Sequence, residues 1–176
     1  METIFKTECI GKSLEAMGYY CGCPDCNPIP KISEQEKAEQ DKIRAEQIRV
    51  YEAKEKIRAN HILKVGDIFE TSWGYDQTNY DYIAVVGISK SGKTAICQMT
   101  ICETINDNEQ SPQAYKQKPI FEPFGKTFKM RIYKEAGKET RLRGSYFYCQ
   151  DSKRLDSFRL VLPDDVFFET NTIFGH

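Results

Sequence analysis

Histidine is nearly missing from this chain. Only His61 and His176 are present, so a Ser-His-Asp or Cys-His site would have to be built on His61, at the predicted end of a helix. No run approaches the ~20 apolar residues that a membrane-spanning helix needs. The opening METIFKTECIGKSLEAM lacks the apolar centre of a secretory signal, and a cytoplasmic location is expected. Net charge is −1, so no whole-chain field draws in or repels nucleic acid. Asp76 and Asp81 stand five apart with nothing converging on them, which argues against a catalytic carboxylate pair. No enzymatic activity is expected.

What is present is uneven. The 176 residues suffice for one domain and an appendage, and 40% hydrophobic with 29% charged residues describes a globular chain with a wet surface. Between Lys116 and Arg159 lie twelve Lys/Arg and five Asp/Glu, whereas residues 61–115 carry three bases and seven acids. The chain is therefore bipolar, with an acidic middle and a basic C-terminal half.

Seven cysteines, expected to be reduced in a cytoplasm, include Cys21-x-Cys23-x2-Cys26. Cys23 and Cys26 have the spacing of a zinc knuckle. Cys9 is the candidate fourth ligand beside Cys21, Cys23 and Cys26 in a structural zinc site. No second C-x2-C pair accompanies them, and free thiols are the alternative. Cys97, Cys102 and Cys149 fall on predicted strands and read as core filler.

Three regions are expected: a Cys-rich segment over 1–32, a long charged helix over 33–60, and a β-rich domain over 62–176. Ser33 with Glu36 forms a capping box, and the run to Asn60 holds strong helix formers without Gly or Pro. Its apolar positions are thin: Ile43, Val50 and Ile57 lie seven apart, with Ala53, Ile48 and Tyr51 nearby. Such a helix touches its own domain along one edge or pairs weakly with a second copy, which makes a weak homodimer through 33–60 a candidate.

From Gly66 onward the hydrophobic period becomes two. Strands are predicted near 67–73, 80–88, 93–102, 126–134, 141–149 and 157–162, with 103–125 as a long loop. In 126–134, Phe128, Met130 and Ile132 alternate with Lys129, Arg131 and Tyr133. The expected fold class is α+β: a small antiparallel β-barrel or highly curved sheet, preceded by the long helix and the Cys-rich segment.

Gly87-Ile88-Ser89-Lys90-Ser91-Gly92-Lys93-Thr94 matches the phosphate-loop pattern G-x4-G-K-T and follows an apolar strand. A P-loop nucleotide-dependent enzyme is one reading. Residues 94–105, however, are rich in β-branched types where that loop must open a helix, and no helices follow. Ser91-Gly92 between two apolar strands reads instead as a two-residue hairpin turn, so no nucleotide is expected.

GDIFETSWGYDQTNYDYIAVV followed by GKT resembles a recurring segment of uncharacterised small phage and mobile-element proteins. Its pattern runs G-D-x3-S-W-G-Y-[DE]-Q-T-N-x-D-[FY]-x2-V-V and then a G-K-T-V-type hairpin. The ending from Glu169 to His176 is weakly similar to theirs. Pro163-Asp164-Asp165 only faintly echoes their W-D-G-K-P-like segment. The resemblance implies an origin in a mobile genome and a hairpin at Gly87–Thr94; it brings no activity.

Two candidate surfaces remain. Trp73, Tyr75, Asp76, Gln77 and Asn79 combine stacking faces with directional hydrogen-bond groups, or else plug one end of the domain. Lys129, Arg131, Arg141 and Arg143, with Tyr133, Tyr146 and Tyr148 interleaved, form either a platform for single-stranded nucleic acid or ordinary edge protection. The leading expectation is a phage or mobile-element protein that acts by binding a host protein or ribonucleoprotein complex, as an inhibitor of a host defence system such as a CRISPR effector. The alternative is a nucleic-acid-binding protein using the 126–143 hairpin.

Overall fold

The computed structural model describes residues 33–75, 77–105, 114–147 and 152–170. Cys9, Cys21, Cys23, Cys26, Asp76, Tyr148, Cys149 and the tail from 171 lie outside them. The chain divides into two compact units, Met1–Ile48 and Arg49–His176. One helix, α1 (Glu34–Asn60), crosses that boundary.

The start of α1 is set locally. The Ser33 amide donates to the Glu36 carboxylate at 2.8 Å, and the Glu36 amide donates to Ser33 Oγ at 3.2 Å. Two amides at the helix start are thus satisfied as the capping box predicts. These bonds hold the Glu36 carboxyl below its usual range. At the other end Asn60 closes the helix, its side-chain amide donating to the Lys56 carbonyl at 3.0 Å.

In the second unit the strands are β1 (Ile68–Trp73), β2 (Asn79–Ile88), β3 (Thr94–Thr104), β4 (Ala114–Lys134), β5 (Thr140–Phe147), β6 (Lys153–Leu160) and β7 (Phe167–Thr170). Every pairing is antiparallel. β1 to β6 pair in sequence order, and β6 returns to β1 through Phe69–Leu160 and Glu70–Arg159. β7 pairs with the start of β4, Ala114–Gln117. The result is an α+β chain with a ring-like, seven-stranded antiparallel sheet.

Period-two alternation fills the ring. Phe69, Ile83, Val85, Cys97, Phe128, Met130, Leu142, Tyr146, Phe158 and Leu160 are all buried in one cluster. The 126–134 stretch behaves as its alternation predicts: Phe128 and Met130 are buried while Lys129, Arg131 and Tyr133 are exposed. Burial raises the Cys97 thiol to about 12, so it is inert filler as read, but Cys102 is only half-buried.

Two expectations are corrected. The predicted loop 103–125 is strand from Ala114 onward, the first half of a 21-residue β4. Pro119 and Pro123 made it look irregular. Both face β3 beside register shifts between Cys97/Met99 and Thr100/Cys102, where extra residues on β4 absorb the missing amide donors. The last predicted strand, 157–162, runs instead from Lys153 to Leu160, and β7 follows it. α1 touches the β-rich part along one edge, through Lys54, Glu55 and Arg58, with the Arg159 guanidinium 6.0 Å from the Tyr51 ring centre, while Val50 and Ile57 are exposed.

Candidate binding surface

The phosphate-loop match is a β-hairpin. β2 ends at Ile88 and β3 starts at Thr94, so no helix opens there. The Ser89 amide donates to the Thr94 carbonyl at 2.9 Å, and the Gly92 amide donates to the Ser89 carbonyl at 2.9 Å. The loop is thus four residues, Lys90–Lys93, rather than the expected two. It is built round a turn whose Gly92 has φ +67°. The Lys93 carbonyl accepts from the Ile132 amide, so this backbone serves the sheet.

Two rows of side chains cross the outer face of β4, β5 and β6. One row is Tyr133, Arg141 and Arg159; the other is Arg131, Arg143 and Ser157. They are adjacent but electrostatically different. In the first, Arg141 and Arg159 both pair with Glu139, and Arg159 also pairs with Glu55 of α1. In the second, Arg131 and Arg143 stand directly opposite one another, exposed, and neither forms an ion pair among the described residues. Lys129, exposed on the same face of β4, is likewise unpaired there. The Arg143 guanidinium lies 5.2 Å from the centre of the Tyr133 ring, whose hydroxyl donates to Glu135 at 2.7 Å. Lys138 also pairs with Glu135; these bonds hold the Glu135 carboxyl low and the Lys138 ammonium high.

A cleft of about 540 Å³ adjoins the rows, lined by Tyr133, Arg141, Arg143, Ser157, Glu55 and Lys138 among others. Ser157 Oγ is buried without a hydrogen-bond partner among the described residues. Sequence reading passed over Ser157. The signal was available: Leu142 and Phe158 are both apolar and pair inside the ring, which sets Ser157 outward, opposite Arg143.

The Trp73 segment lies elsewhere, at one end of the ring. Gly74 turns the chain with φ +126°, and a Cβ there would lie 2.0 Å from the Gln77 carbonyl oxygen, so only glycine fits. Thr78 exchanges hydrogen bonds with Thr170, tying this turn to β7. Trp73 is 36% exposed, with the Arg154 guanidinium 4.5 Å from its ring centre. The fully buried Tyr146 donates to Asp81 at 2.6 Å. Burial raises the Asp81 carboxyl, against the opposing pull of Tyr146, Arg154 and Trp73. Tyr146 therefore faces the core rather than the basic surface on which it was expected. Tyr75 is 99% exposed, Gln77 half-buried, and Asn79 Nδ2 buried without a partner among the described residues. Among the described residues, no hydrogen bond or ion pair joins Trp73, Tyr75, Gln77 or Asn79 to Lys129, Arg131, Arg141 or Arg143.

Among the described residues, no cluster of three His, Cys, Asp or Glu could hold a metal ion, and no helix is long and apolar enough to cross a membrane. The proposed zinc ligands lie outside those residues. No protein-family model, no curated protein and no solved structure matches the chain.

Proposed function

We propose that the protein is a binding module of a phage or mobile element, and that it acts on a host protein or ribonucleoprotein complex. Its activity on that reading is to obstruct a defence system, as an anti-CRISPR protein does. The ring serves as a small closed barrel, a rigid scaffold in the host cytoplasm. The Cys-rich segment would bind a structural zinc through Cys9, Cys21, Cys23 and Cys26, and α1 would add a weak homodimer contact.

One observation carries the reading. Arg131, Arg143 and Lys129 form an exposed group of cations on rigid strands, without acidic partners among the described residues, beside a row in which every arginine is matched. Unmatched charge fixed on a rigid element favours an oppositely charged partner. The resemblance of residues 66–101 supports the mobile-element origin.

The test is capture from lysate of a host carrying the defence complex, with three chains compared: the wild type, Arg131→Gln/Arg143→Gln, and a control of equal charge loss, Lys90→Gln/Lys118→Gln. The complex should be retained by the wild type and the control and lost by the double arginine variant. Equal retention by all three, or by none, refutes the reading.

A further inference from the structure

We propose that Arg131, Arg143 and Ser157 form a phosphate site for single-stranded nucleic acid, with Lys129 extending it along the strand and the adjoining cleft receiving an unstacked base. This rests on the reading that the basic face is the contact surface, and it names the chemistry of what that face touches.

Two like charges directly opposite each other on an antiparallel pair repel, and Arg131 and Arg143 are such a pair. The neighbouring row shows how this chain neutralises arginines when they serve the fold: Glu139 and Glu55 do it. No described acid forms an ion pair with Arg131 or Arg143; Glu135, already paired with Lys138, feels Arg143 only at longer range. An anion between them would remove the repulsion. Arg143 is also preorganised. Its guanidinium lies over the Tyr133 ring, and that ring is anchored through its hydroxyl to Glu135. A planar fork held in place loses little freedom on binding two oxygens of one phosphate.

Ser157 supplies an independent sign. It is the cross-strand neighbour of Arg143, lines the cleft, and has a buried hydroxyl without a partner among the described residues. Burying a donor unpaired costs stability, and an oxyanion in the cleft would accept from it. The three lining acids do not oppose this, because each is already matched: Glu55 by Arg58 and Arg159, Glu135 by Lys138, Glu139 by Arg141 and Arg159. A polymer fits better than a lone phosphate because Lys129 continues the unpaired charge along β4. A single strand fits better than a duplex because the cleft and the Tyr133 ring can use only a base freed from its stack.

The experiment measures binding of a fluorescein-labelled oligouridylate to the full chain over a range of salt concentrations. On single strands each neutralised phosphate contributes about 0.7 to the slope of log affinity against log salt, so Arg131→Gln/Arg143→Gln, which removes one phosphate site, should lower the slope by about 0.7 and weaken binding ~10-fold or more. Ser157→Ala should weaken binding by about 2- to 10-fold, the range of one neutral hydrogen bond, without changing the slope. Lys90→Gln/Lys118→Gln should leave the slope near that of the wild type. Unfolded variants are recognised by thermal melting before binding is read. Absence of saturable binding at low salt, or an unchanged slope in the double arginine variant, overturns the proposal. So does competition by uridine monophosphate or oligoglutamate as effective as that by unlabelled oligouridylate. If the host complex is captured but oligouridylate is not bound, this proposal fails and the broader function stands; the opposite result leaves the phosphate site standing and removes the host complex.

Discussion

The two rows on the outer face of β4, β5 and β6 come from the same three strands and each carries two arginines, yet they differ in their acidic partners. Arg141 and Arg159 are held by Glu139 and Glu55; Arg131 and Arg143 form no ion pair with any described acid. Along the sequence both rows look equally basic. The difference lies entirely in where the acids fall once the strands are in register, and it separates arginines paired within the fold from arginines that form no ion pair among the described residues.

The matched side should therefore answer to stability measurements and the unmatched side to binding. The largest effect is expected where the matched network is most buried. Arg58 donates to Asp165 at 2.5 Å and to the Leu160 carbonyl at 3.1 Å, and Asp165 also accepts from Lys54 and from the Leu162 amide. Removing one partner strands the other, so Asp165→Ala should lose about 3 kcal/mol by urea unfolding. Gly74→Ala comes next, at about 2 kcal/mol, because its Cβ would overlap the Gln77 carbonyl at a positive φ. Arg159→Ala, at a site 25% exposed, should cost ~1 kcal/mol after allowance for solvent screening. Arg131→Gln or Arg143→Gln should change stability by less than about 0.5 kcal/mol, with a slight gain from relieved repulsion. If either arginine variant lost more than ~1 kcal/mol, its row would be structural and the contrast would fail.

Acid sharpens the same contrast. Burial raises the Asp165 carboxyl, but the bonds from Lys54, the Leu162 amide and Arg58 outweigh it and hold the group below its ordinary value. Its contribution to stability is then fully present above the unfolded value, about 3.9, and is lost as pH falls through the lower folded value. Asp81 runs the other way. Its carboxyl is raised, so its contribution is present below the unfolded value and lost as pH rises through the folded one. Thermal melts across acid pH should show Asp165→Asn with a shallower acid limb and Asp81→Asn with less decline towards neutrality.

The parts readable in sequence were those fixed by neighbours along the chain. Ser33 and Glu36 announced the helix start, the β-branched run after Thr94 announced β3, and alternation through Phe128, Met130 and Ile132 gave the inner face of β4. What escaped depends on distant partners. Pro119 and Pro123 argued locally against a strand, and only pairing with β3 across register shifts accommodates them. The edge by which α1 meets the sheet reads as solvated charge until Asp165, more than a hundred residues away, is seen to collect Lys54 and Arg58. β7 has four residues, too few for periodicity to register. In the candidate site, the cations were evident from composition, whereas their lack of ion pairs and the unpaired Ser157 hydroxyl, both among the described residues, follow from cross-strand register.

Closure of the ring has a consequence for how the chain is made. Each pairing from β1 through β6 joins neighbours along the sequence and can form as those segments leave the ribosome. The Phe69–Leu160 seam and the Arg58–Asp165 bond cannot. Until β6 has been synthesised, β1 carries a row of unsatisfied backbone groups, and the end of α1 lacks its anchor. A nascent chain stalled before Lys153 thus presents a sticky strand to its neighbours on a polysome. That edge stays open from the completion of β1 at Trp73 until β6, Lys153–Leu160, has been made, an interval of about half the chain.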